Sequence, residues 1–248
     1  SWNWKANGAG SANTDGSQNT TVSVNTTAGF SIVKWTGADS TASLGHGLGA
    51  VPKMIIAKRL TSRAWTVYHA DVGANKKLVL NTTAAESSSA DFDDTPTSSV
   101  INVGYTDDIN GSGADYIAYC FAEKKGYSKF GSYIGNASAD GPFVFTGFKP
   151  AFVMLKILPH GGWDWAIMDN KRTPTNANGT YEWLWANLAG AEFTDGDSGI
   201  NMELDFLSNG FKIRTSRDEL NRNGDKFVYM CFAEAPFVTS TGIPTTAR

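Results

Sequence analysis

Short apolar runs closed by Gly, Asn, Asp or Ser follow one another along the chain, and none keeps a helical period over three turns. Residues 30–37, 65–69 and 77–81 alternate apolar and polar positions, as a strand with one face in a core does. Met54, Ile55 and Ile56 break that alternation and predict a strand buried on both faces or nearly so. Residues 100–103 and 116–123 complete the series. Strands at intervals of about 8–12 residues, with turn residues between them, argue for antiparallel sandwiches.

The pattern is written twice. Tyr116-Ile-Ala-Tyr-Cys-Phe-Ala-Glu123 returns as Phe227-Val-Tyr-Met-Cys-Phe-Ala-Glu234, an offset of 111 residues. Asn110-Gly-Ser-Gly113 leads into one run and Asn221-Arg-Asn-Gly224 into the other. Counting back, residues 127–135 answer 30–37, and 147–156 answer 49–58 with Pro150 on Pro52 and Lys156 on Lys58. Trp165 answers Trp65, Asp169 stands opposite His69 as drift at a surface position, Asn187 answers Asn81, and residues 211–213 answer 100–102. The offset grows along the chain, so the second copy has gained residues between Asp169 and Asn187 and between Glu192 and Phe211. Such gains belong in loops, where function concentrates. The expected fold is all-β: two tandem, internally duplicated antiparallel β-sandwich repeats at residues 29–125 and 126–238. A lead-in strand or linker (1–28) precedes them and a C-terminal tail (239–248) follows.

Composition supports this picture. Aromatics at 12 % and 26 glycines suit short strands joined by turns. A net charge of −3 makes no electrostatic case for nucleic acid, and no apolar run is long enough to span a bilayer. The chain starts at Ser1 without Met or a signal peptide and reads as a processed piece of something longer. Cys120 and Cys231 hold the same place in the two copies and are expected as free, buried thiols, a disulfide requiring the two strands to lie side by side. Asn-x-Ser/Thr sequons, as at Asn25, Asn81 and Asn136, are expected by chance in so polar a chain.

Candidate chemistry is sparse. His46, His69 and His160 have no partner at metal-ligand spacing and read as structural or solvated. No nucleophile elbow, P-loop or His-Glu-x-x-His is present. Asp91-Phe-Asp-Asp94, Asp107-Asp108 and Asp195-Gly-Asp197 have the oxygen ligands of a calcium site without its spacing, so calcium is the one candidate cofactor, set against turn capping by Asp. Four of the eight tryptophans fall within residues 163–185, as Trp163-Asp-Trp165 and Trp183-Leu-Trp185. Alternate positions share a face, so each pair places two indoles on one side. One reading is a platform for a sugar ring, with Trp163, Trp183, Trp185 and Asp164 as ligand-binding residues. The other puts Trp165 and one of Trp183 and Trp185 in the core, as Trp65 in the first copy.

Several blocks resemble a known family: 46–56 (His-Gly-Leu-Gly-x-x-Pro-Lys-Met-Ile-Ile), 116–123, 126–133 (Gly-Tyr-Ser-Lys-Phe-Gly-Ser-Tyr), 140–144, 206–212 and 231–237. They resemble a duplicated β-rich domain of tailed-bacteriophage tail and fibre-like structural proteins, often marine, over roughly residues 29–238. The resemblance implies a virion component and carries over no catalytic residue. The expected function is a non-enzymatic tail or fibre adhesin that contacts a host surface glycan or protein. The alternatives are a purely structural decoration or oligomerisation module, with Trp2, Trp4 and the Phe237-Val segment as packing surfaces, and, behind both, a glycan depolymerase. The expected partners are other virion proteins, a host glycan or receptor and, by analogy with fibre proteins, two further copies in a trimer. Nucleic acid and membrane insertion are not expected.

Overall fold

The computed structural model describes residues 2–173, 176, 181–195 and 201–234. The Phe237-Val segment, the C-terminal tail (239–248) and the loop residue Asp197 lie outside them. The chain divides into two compact units: Ser1–Asn81 with Glu86–Lys124, and Thr82–Ala85 with Lys125–Arg248.

In the first unit the strands are β1 (Ser11–Asn13), β2 (Thr20–Asn25), β3 (Phe30–Thr36), β4 (Ala42–Gly45), β5 (Pro52–Arg59), β6 (Trp65–His69), β7 (Lys76–Val79), β8 (Ser87–Ser88), β9 (Val100–Val103) and β10 (Asp115–Ala122). Eight form one sheet in the order β1-β2-β3-β10-β5-β6-β7-β8, and β4 pairs with β9. The lead-in thus enters the sheet as β1 and β2. One face of the large sheet presents Val33, Trp35, Ile55, Ala57, Tyr68, Tyr116, Ala118 and Cys120 to a core closed by Leu44, Phe92, Ile101, Val103 and Ile109. The other face is apolar as well, with Met54, Val67 and Phe121 buried, which is why residues 54–56 do not alternate.

The second unit has β11 (Ser128–Ile134), β12 (Phe143–Phe145), β13 (Pro150–Ile157), β14 (Ala166–Asp169), β15 (Glu182–Trp185), β16 (Phe193–Thr194), β17 (Leu204–Leu207), β18 (Gly210–Ile213), the one-turn α1 (Asp218–Asn221) and β19 (Lys226–Ala233). Its larger sheet runs β11-β19-β13-β14-β15-β16, the order of β3-β10-β5-β6-β7-β8, and β12-β18-β17 forms the smaller sheet. All named strand pairs are antiparallel. The protein is all-β, built of antiparallel sandwiches.

Local details recur in both units. The register shifts where β10 reaches Pro52 and where β19 reaches Pro150, because proline cannot donate to a ladder and sits at a bulge. Asn81 Oδ1 accepts from Trp65 N at 2.9 Å, and Asn187 Oδ1 from Trp165 N at 2.9 Å. Gly37 and Gly135 end β3 and β11 beneath the Asn/Gly loops, where a Cβ would lie 2.0 Å from Gly111 O and 2.2 Å from Arg222 O. Cys120 and Cys231 are buried thiols outside any disulfide, and burial pushes the Cys120 thiol up to about 12.

His69 and Asp169 are both buried, which corrects their reading as surface drift. Each ends a strand and caps the turn that follows: His69 Nδ1 accepts from Asp71 N at 3.2 Å, and Asp169 Oδ1 from Lys171 N at 2.9 Å. An imidazole nitrogen and a carboxylate oxygen do the same work there. His46 is buried too, its ring spanning Thr97 O (3.2 Å from Nε2) and Leu48 N (3.1 Å from Nδ1), while His160 pairs with Asp225 at 3.0 Å.

Candidate functional site

The tryptophan cluster of the second unit is largely interior. Trp183 is 0 % and Trp185 8 % exposed. Their indoles meet 6.1 Å apart at 70°, and Phe193, opposite Trp183 across β15 and β16, stacks on Trp183 at 5.9 Å. The two do share a face, as alternation requires, but it is the face that closes the core. Trp183 and Trp185 are therefore not a surface platform. Trp165 is buried as well, and Trp163 packs half-buried against the same core.

Asp164 accepts from the Asn187 side-chain amide. Beside it stands Lys156, fully buried, whose ammonium donates to the carbonyls of Trp163 and Thr83. Burial holds its pKa down to about 8 even though Asp164 pulls it up. Among the described residues its hydrogen bonds go to these two carbonyls, so it ties two backbone segments together.

Asp91, Asp107, Asp108 and Asp195 of the acidic clusters are engaged by groups of the protein itself. Lys77 Nζ lies 2.9 Å from both Asp91 and Asp108, and Thr66 and Thr106 donate to Asp91 at 2.8 and 2.7 Å. Burial alone would raise the Asp91 pKa, but those hydrogen bonds and the ammonium outweigh it and leave it lowered. Asp107 faces Arg59 and Arg63, and the Asp195 carboxylate accepts from Tyr181 N and Met202 N. Among the described residues no group of three or more His, Cys, Asp or Glu is placed to hold a metal ion.

An apolar pocket lies in the first unit, on the face of the large sheet opposite the core. Its volume is about 330 Å³, and it is lined by Trp2, Asn3, Trp4, Phe30, Ile32, Ile56, Trp65, Leu80, Tyr119 and Phe121. That is the lower end of the range for small-ligand sites, about 300–1,000 Å³. The sheet assembles its floor by register: Tyr119 lies between Ile32 and Ile56 on the flanking strands, and Phe121 beside Phe30. Phe30 and Tyr119 lie within 3° of parallel and Tyr119 and Trp65 within 17°, each pair 6.4 Å apart. Trp4, ahead of β1, sets its ring edge-on to Phe121 at 5.7 Å.

Trp65 is thus a half-buried pocket wall and not core, a correction to the reading by analogy with Trp165. The signal in the sequence was the joint apolarity of Trp2-x-Trp4 and of the outward positions of β3 and β10. In the second unit Met230 of β19 takes the place that Tyr119 has in β10.

Fold and pocket define an antiparallel β-sandwich protein with an aromatic, ligand-sized pocket on one sheet. The chain belongs to the family described as Domain of unknown function (DUF7483), which matches residues 1–236. No curated protein and no solved structure matches it. No helix among the described residues is long and apolar enough to cross a membrane.

Proposed function

We propose that the chain is a non-enzymatic structural module of a virion, at the tail or fibre, that engages a host surface ligand in the aromatic pocket of its first unit. The observation that carries this reading is the pocket itself, in which four half-buried aromatic side chains, Trp2, Trp4, Trp65 and Tyr119, converge on one sheet face. Aromatic rings give large contact area with little conformational entropy to lose, which suits recognition. The block-by-block resemblance to phage tail and fibre domains supports the virion setting, and the shared strand order of the two units supports descent from one duplicated module.

An array of bacterial surface polysaccharides and envelope proteins tests it. Binding of the intact chain to a subset, lost in Trp65→Ala, is the expected outcome, and binding that is flat across the array contradicts the adhesin role. Release of new reducing ends would point to a depolymerase. The second reading, a packing module within the virion, is favoured by Phe143 and Phe145, which stand exposed on β12 at the edge of its sheet. Other virion proteins, further copies in a trimer included, would be its partners, and the particle mass in solution tests that.

A further inference from the structure

We infer that the pocket takes an uncharged pyranose ring of a surface saccharide, an inference that rests on the pocket being the ligand site. The lining is graded. Its floor is purely apolar, with Phe30 and Phe121 buried and Ile56 nearly so. Its shallower wall is made of the half-buried Trp2, Trp4, Trp65 and Tyr119 with the exposed Asn3, side chains that each carry a polar group at one end of an otherwise apolar or compact body. A ligand that matches has an apolar face to bury and polar substituents at its edge. A pyranose has that form, with C–H bonds on its face and hydroxyls around its rim.

None of the described residues that line the pocket is charged. A carboxylated sugar would lose its hydration there with no counter-ion to replace it. An ammonium would meet no carboxylate, and although aromatic faces attract cations, Ile32, Ile56 and Leu80 interrupt the rings with methyl groups that do not.

The test is a titration of the intact chain, followed by tryptophan fluorescence and by heat, with neutral oligosaccharides and their methyl glycosides. Uronic-acid oligomers, glucosamine oligomers, choline and a proline-rich peptide form the comparison arms. The expected result is saturable binding of at least one neutral saccharide, insensitive to salt and weakened about tenfold in both Trp65→Ala and Trp4→Ala. Trp4 lies ahead of the first strand, so its variant reports on the pocket if Trp65→Ala fails to fold. Preference for a charged sugar, choline or the peptide, still lost in these variants, overturns the saccharide class and leaves the pocket as a ligand site. Binding of any probe that is unchanged in both variants overturns the pocket reading itself. No response to any neutral saccharide overturns the inference.

Discussion

Trp183 has no aromatic counterpart in the first half of the chain, and that asymmetry reads as a surface gain. Counting by the offset of Asn187 from Asn81, its counterpart is Lys77, whose ammonium reaches the buried Asp91. Strands in the same place in the two sheet orders, β7 and β15, thus fill their inward positions by opposite means, an ion-paired network in one and edge-to-face indoles in the other. Trp183→Ala should cost about 3–5 kcal/mol in urea unfolding while leaving ligand binding intact; a small loss of stability together with lost binding would restore it as a surface residue. Two buried bases make pH a second probe. Burial lowers the His46 pKa below its ordinary value near 6.5, outweighing the Thr97 carbonyl and Asp15. The unfolded chain therefore takes up that proton more readily, and the stability His46 contributes is present above about pH 6.5 and lost as pH falls toward its folded value. The stability gap between wild type and His46→Ala should narrow from pH 7 to pH 5. Lys156 acts in the other range. With its pKa at about 8 when folded against 10.5 ordinarily, its burial penalty is full below pH 8 and relieved as pH rises toward 10.5. Wild type should gain stability relative to Lys156→Met between pH 8 and pH 10; a constant difference would mean the amine keeps its ordinary pKa.

At the scale of the element, most strands were legible as short apolar runs closed by turn residues, alternating in strands such as β3 and continuous in others such as β13. The doubled run at residues 116–123 and 227–234 marks β10 and β19, each held between two antiparallel neighbours. The glycines at their crossings were legible only as turn residues, since a sequence does not say which backbone passes over which. Gly113 N donates to Gly37 O and Gly224 N to Gly135 O, both at 2.9 Å, pinning the Asn/Gly loops onto the ends of β3 and β11. Gly37→Ala and Gly135→Ala should each cost at least about 1–3 kcal/mol, because the methyl group meets backbone and not a side chain that can swing away. A neutral effect of either would contradict the close crossing. The lead-in was harder to read. Residues 11–13 are polar and residues 20–25 carry only Val22 and Val24 among Thr, Ser and Asn, so the edge hairpin they form leaves a fainter side-chain pattern than the central strands do.

At the scale of the whole molecule, the fold class followed from periodicity, whereas the pocket did not. Its walls come from residues spread over 2–4, 30–32, 56, 65, 80 and 119–121, and only register brings them together. Trp65 in particular has a repeated partner in Trp165, and repetition favoured a core role for both. The side chains around them bury Trp165 but leave Trp65 half-buried at the pocket. The protein carries eight tryptophans, so each indole N–H gives its own reporter in a two-dimensional NMR spectrum. Titrated with a neutral oligosaccharide that binds, the signals of Trp2, Trp4 and Trp65 should move together and saturate while those of Trp163, Trp183 and Trp185 stay in place. Movement of Trp163 with Trp2, Trp4 and Trp65 unchanged would place the ligand on the second unit and contradict the pocket.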